Sequence, residues 1–153
     1  MPSESAISEE MRSMIGQEAE PVVLEVEKGH IRKFAQAVGD PNPLWQDESY
    51  ARKTKYGNII APPTFLQDWA MHRIAEKLLN MKCPLASVLN AGAEVEQYKP
   101  MVAGDVLTTR GKLVNIIEKE GKSGKLLFFS FETTFTNQRG ELIGKGRLTL
   151  IKR

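Results

Sequence analysis

Gly39-Asp40-Pro41-Asn42-Pro43-Leu44-Trp45-Gln46-Asp47 is the stretch on which the reading of this chain turns. It follows a run in which Ile31, Phe34, Ala35 and Val38 recur at spacings of three and four, the pattern of a helix with one buried face. It precedes a second short helical run, about Asp47 to Thr54. Between the two, a glycine and two prolines forbid a helix, and each proline pushes the residue before it toward extended backbone. The expected product is a stiff loop with one carboxylate, Asp40, and one amide, Asn42, at its bend. A rigid loop carrying few polar groups suits a small-molecule site. It is equally what a structural Asx turn requires, with Asp40 and Asn42 bonding their own backbone.

Upstream, Ser5 is a candidate cap for a short helix through Ile15, with Ile7, Met11 and Met14 on one face and Gly16 at its end. Pro21 to Val26 reads as a strand rich in β-branched residues. Downstream, Tyr56-Gly57-Asn58 breaks the second short helix, and Ile59-Ile60-Ala61 leads into Pro62-Pro63-Thr64. Proline is tolerated in the first turn of a helix. A helix is therefore expected over about Thr64 to Asn80, through Phe65, Leu66, Trp69, Ala70, Ile74, Leu78 and Leu79. It is the longest and most apolar helical pattern in the chain.

Past Pro84 the period drops to two. Four strands are expected: Ser87 to Lys99, Asp105 to Ile117, Lys125 to Asn137 and Leu142 to Ile151. In the third, Leu127, Phe129, Phe131 and Phe135 share one face. Residues 120–124 and 137–140 have turn composition and are short enough for antiparallel hairpins. The expectation is one α+β domain spanning 1–153, with a four-stranded meander and a shorter strand packed against one long helix.

Composition narrows the function classes. A chain of 153 residues, 41% hydrophobic and 26% charged, suits a single globular domain. Lys plus Arg is 21 against 19 for Asp plus Glu, which gives no electrostatic case for nucleic acid or an acidic membrane. Lys145-Gly146-Arg147 and Lys152-Arg153 read as a solvated strand face. Cys83 is the sole cysteine, so no internal disulfide or thiolate metal cluster can form; this fits a reducing cytoplasm, and Cys83 itself reads as inert filler. Met1 to Glu10 lacks the apolar core of a signal peptide, and no apolar run reaches the roughly 18 residues of a membrane span.

Phe34, Gly39-Asp40-x-Asn42-Pro43-Leu44, Asp47 and Ala51, taken in order, resemble the signature of the MaoC-like or (R)-specific enoyl-CoA hydratase family, in its FAS1-like dehydratase N-terminal form. That motif reads aromatic, Gly-Asp-x-Asn-Pro-aliphatic-His-x-Asp, then a small residue. Tyr98-x-Pro100-x-x-x-Gly104-Asp105-x-Leu107 resembles a strand turn of the same family. The resemblance implies a hot-dog fold, an antiparallel sheet wrapped around a long central helix. It also implies addition of water to an enoyl thioester, or the reverse, on acyl-CoA or an acyl-carrier thioester. An aspartate and a histidine would activate the water, and N–H groups at the start of the long helix would polarise the carbonyl. On this basis Asp40 and Asn42 are the candidate catalytic residues, and Trp45, Tyr56, Gly57, Pro63 and Thr64 the candidate substrate-binding residues. No cofactor and no metal is implied.

Two positions depart from the pattern. Trp45 stands where the family has its catalytic histidine, and an indole N–H donates but cannot accept a proton. Pro62-Pro63 stands where the family often has His-Gly, and neither proline has an N–H to donate. The other titratable groups read as structural: His30 as a helix-start residue facing solvent or capping, His72 as a core or interface residue, Asp47-Glu48 as a solvated face or helix-start charge, Glu94 and Glu96 as surface. Gly144-x-Gly146 lacks the third glycine of a dinucleotide loop, and Trp45 and Trp69 could line an acyl pocket or simply fill the core. Three functions follow: a degenerate partner of a catalytic hot-dog chain, a self-sufficient enoyl-CoA hydratase using Asp40, or a non-catalytic acyl-thioester binding protein. A homo- or hetero-oligomer is expected in each case.

Overall fold

The computed structural model of the chain describes residues 4–66, 76 and 80–153. The elements run α1 (Glu9–Met14), β1 (Val22–Glu25), α2 (Lys28–Ala37), a 3-10 turn (Pro43–Trp45), α3 (Glu48–Arg52), β2 (Val88–Gln97), β3 (Val106–Gly121), β4 (Gly124–Thr136) and β5 (Leu142–Lys152). Every strand pairing is antiparallel, in one five-stranded sheet of order β1-β3-β4-β5-β2.

That order corrects the expected meander. Only β3, β4 and β5 follow one another across the sheet; β2 lies beyond β5 at the far edge. The chain therefore crosses back between β2 and β3, and its backbone groups are satisfied on the way. Ala61 N donates to Met101 C=O at 2.9 Å and Ala103 N to Ile59 C=O at 2.8 Å. Gly104 then turns at φ +94°, where a side chain would be strained. Asp105, 6% exposed, fixes the turn by accepting from Val102 N and Gln138 Nε2, both at 3.0 Å. The Tyr98-to-Leu107 motif is thus a crossover with a carboxylate at its end.

The alternation legible in the sequence is kept inside the sheet. Leu127, Phe129, Phe131 and Phe135 are all buried on the inner face of β4. A register shift between Leu113 and Asn115 lets Leu113 and Ile116, three apart, both face inward. The β3–β4 hairpin runs further than expected, to a Gly121–Gly124 pair, because its polar tip costs nothing in solvent. Lys152 was expected on a solvated face; it continues the inward parity of Leu148 and Leu150 and is only 5% exposed. Ser8, not Ser5, caps α1 by accepting from Met11 N at 3.1 Å, while Ser5 donates to Glu118 Oε2.

Two clusters fill the inner face. One joins Val26, Ile31, Ala35 and Trp45 to Phe65, Leu66 and Phe135; the other joins Met11 of α1 to Leu113, Phe129, Phe131 and Leu148, with half-buried Cys83 against it. Phe65 and Leu66 are the described start of the expected long helix; Trp69, Ala70, His72, Ile74, Leu78 and Leu79 lie outside the described residues. Among the described residues no helix is long and apolar enough to cross a membrane.

Leu66 is seated against the sheet by the absence of a side chain at position 144. A Cβ on Gly144 would stand 2.6 Å from Glu96 C=O and 2.9 Å from Leu66 Cδ1, whereas one on Gly146 would meet nothing closer than 3.7 Å. Gly144→Ala is therefore expected to lower unfolding stability by about 1–3 kcal/mol, the usual range for overpacking. Gly146→Ala should stay within about 0.5 kcal/mol. Urea denaturation of the two variants checks the contrast.

Candidate functional site

α2 ends at a glycine because the chain must turn left-handed there. Gly39 has φ +70°, and the amides on either side of it fold back on the last turn: Val38 N to Phe34 C=O at 3.1 Å, Asp40 N to Ala35 C=O at 2.9 Å. This delivers Asp40, half-buried, to the start of the loop. Its Oδ1 accepts from Asn42 N at 3.0 Å, and Asn42 Oδ1 accepts from Leu44 N at 3.0 Å, capping the 3-10 turn. The structural Asx geometry is therefore present.

The second carboxylate oxygen has a different partner. Trp45 Nε1 donates to Asp40 Oδ2 at 2.8 Å, and Gln46 Nε2 donates to Asp40 C=O at 2.9 Å. The indole, buried against the first core cluster, thus uses its one polar function to hold the loop's only carboxylate. Asp47 caps α3 through Tyr50 N at 3.0 Å. Glu48 pairs with Lys28 at 2.6 Å and Arg52 at 3.0 Å, which fastens α3 to α2; Lys28 first, then Arg52, holds its carboxyl below the usual range.

Beside this loop is a cavity of about 260 Å³. Leu44, Trp45, Tyr56 and Pro63 form one side, and Gln97, Tyr98 and Lys99 of the crossover form the other. Of the residues singled out from sequence, the fold brings Trp45, Tyr56 and Pro63 together here; Asp40, Asn42, Gly57 and Thr64 do not line it. At the helix start Phe65 N is taken by Pro62 C=O at 2.9 Å, and Pro62 and Pro63 have no N–H to offer. Tyr98 and Lys99 were not singled out as site residues. The only sequence signal for them was the Tyr98-x-Pro100 resemblance, which marks a turn and not a wall.

Lys99 is held in place by Glu141. Its ammonium lies 2.7 Å from Glu141 Oε1, while Oε2 accepts from Asn137 Nδ2 at 2.7 Å and Arg139 Nε at 3.1 Å. These donors, Lys99 foremost, lower the Glu141 carboxyl from 4.5 to about 2. His30, expected to face solvent, is half-buried, with its ring edge-on to Phe65 at a centroid distance of 4.8 Å. The larger depression, about 530 Å³, lies on the outward face of the sheet, lined mainly by charged side chains.

Comparison with known proteins agrees with this architecture. Residues 13–145 match the model of the FAS1-like dehydratase domain region. A UPF0336 protein of Parafrankia sp. (strain EAN1pec) is 33% identical over 136 residues, covering 86% of each chain. The probable enoyl-CoA hydratase alpha subunit of Thermomonospora curvata is 28% identical over 80% of this chain, which spans 43% of that protein. The HadBC (3R-hydroxyacyl-ACP dehydratase) complex of Mycobacterium tuberculosis superposes with a TM-score of 0.76 over 90% of this chain and 96% of that one; at 24% identity this likeness shows the shared hot-dog fold.

Two outcomes test the geometry. Trp45→Phe keeps most of the apolar bulk and removes the donor to Asp40, so a loss of about 1–2 kcal/mol in urea is expected; in an Asp40→Ala background the same change should cost much less, as a double-mutant cycle would show. The folded Glu141 carboxyl titrates below its unfolded value, so its contribution is complete above pH 4.5 and lost as pH falls toward about 2. Glu141→Gln should therefore make the acid limb of the stability curve shallower in that window.

Proposed function

The chain belongs to the FAS1-like dehydratase family, and we propose that within it this protein is the partner of a second, catalytic hot-dog chain, the two acting together on enoyl or 3-hydroxyacyl thioesters. The observation that carries the proposal is the bond from Trp45 Nε1 to Asp40 Oδ2. Hydration of an enoyl thioester needs a group that accepts a proton from water near neutral pH. The indole can only donate, and it is turned away from that role into the loop. Both Asp40 oxygens already accept a hydrogen bond, from Trp45 and from Asn42 N.

In this reading Asp40 and Asn42 are positioning residues. They set the loop that offers Trp45 to the cavity, with Tyr56 and Pro63 completing its apolar side and Gly57 giving the chain its turn between them. Thr64 N–H is the one backbone donor of the Pro62–Thr64 segment that could serve a thioester oxygen. The likeness to a hydratase alpha subunit supports a chain that works with another, as does the likeness to the HadBC complex.

Purified protein is expected to leave crotonyl-CoA and a longer enoyl-CoA unhydrated, and to give hydration once the product of a neighbouring hot-dog gene is added. Loss of a general base typically costs a factor of about 10² to 10⁴. Trp45→His should therefore raise the activity of the chain alone by a measurable part of that factor. Full activity of the unmodified chain by itself would overturn the proposal and assign Asp40 a direct role.

A further inference from the structure

The outward-facing side chains of the sheet stand in rows that cross the strands. One row runs Glu18, Lys112, Glu132, Arg147 and Glu94, with charge alternating at every step. Arg147 Nη2 lies 2.5 Å from Glu132 Oε1. The neighbouring row runs Arg110, Thr134, Lys145 and Glu96, and there the alternation fails: two cations flank a threonine.

Among the described residues no carboxylate pairs with Arg110 or Lys145. The acids near them are engaged elsewhere. Glu132 is held by Arg147, and Glu96 accepts from the Tyr98 hydroxyl at 2.6 Å. The register puts Arg110 and Lys145 one strand to either side of Thr134, so their backbones stand about 10 Å apart. Thr134 is half-buried and shorter than these two exposed neighbours. It therefore lies on the floor of the outward depression of about 530 Å³, between two taller cationic walls. That volume is within the range of small-molecule sites.

We propose that this depression binds the phosphate of a small phosphomonoester, with Arg110 and Lys145 on its oxygens and the Thr134 hydroxyl donating from the floor. The charges match. A phosphomonoester carries close to two negative charges at neutral pH, whereas a carboxylate would leave one cation unanswered. Arginine offers a planar fork of donors to phosphate oxygens and lysine a mobile point charge. Glu94, Glu96 and Glu132 line the same depression and repel a second phosphate, so a monophosphate is favoured over a polyphosphate or a nucleic acid. Tyr98, 50% exposed on the same wall, gives the organic part of the ligand an aromatic surface. The site includes neither Asp40 nor Trp45 and does not depend on thioester chemistry.

NMR titration of the full chain tests the proposal, with ribose 5-phosphate, AMP and, as the control without phosphate, adenosine. Both phosphomonoesters should move the amide signals of Thr134 and Lys145 with dissociation constants of about a millimolar or tighter, and binding should weaken with added salt. Similar affinity for the two identifies the phosphate as the recognised group; tighter AMP adds a base stacked on Tyr98. R110Q/K145Q should weaken binding by about tenfold or more, and Thr134→Val by a smaller factor of about three. Lys53→Gln, at the exposed end of α3, should change nothing. No shift with either phosphomonoester up to about ten millimolar would overturn the proposal. So would binding that survives R110Q/K145Q, or adenosine binding as well as AMP. Hydration of enoyl-CoA is a separate readout, and its presence or absence in the chain alone leaves this site untouched.

Discussion

The Asp40 carboxylate is the point through which the site half of the molecule is tied. One oxygen closes the Asx turn that starts the loop, and the other receives the indole N–H that ends it. Between them the chain reverses from α2 toward α3 with its polar groups paired, and Trp45 is delivered to the core. A carboxylate set just before two closely spaced prolines has few local donors. The sequence meets that need with an aromatic side chain that is large enough to pack and whose only polar group is a donor.

The second constraint is topological. Placing β2 beyond β5 obliges the chain to cross back beneath the sheet, and that crossing is held to residues 59–61 by a short ladder. The same crossing brings Tyr98 and Lys99 opposite Trp45 and Tyr56, and so makes the cavity. It also leaves β2 as an edge. Cavity and edge are thus two results of one strand order, and Gln97, the last residue of β2, also belongs to the cavity wall.

Much of this was legible in the residues because it depends on local chemistry. Gly39, Pro41 and Pro43 dictate a turn whatever surrounds them, and the alternating apolar positions from Leu127 to Phe135 can bury only one face. What was not legible depends on neighbours far along the chain. The sequence spacing of β2 and β3 suggests a meander, and only packing reveals that β2 pairs with β5. Ser5 reads as the cap of α1 from sequence; Glu118, over a hundred residues away, draws it off, and Ser8 takes the position. His30 looks like a surface residue until Phe65 is packed against it. Scattered basic residues gave no cluster in one dimension, yet Arg110 and Lys145 stand on either side of Thr134 once the strands are in register.

The departure from the family motif at position 45 then has a physical sense. A histidine at position 45 would keep a donor toward Asp40 and retain a proton acceptor; tryptophan keeps the donor, adds apolar area and gives up the acceptor. That exchange favours packing and cavity shape over proton transfer, and in the two-chain reading proposed above the acceptor belongs to the second chain.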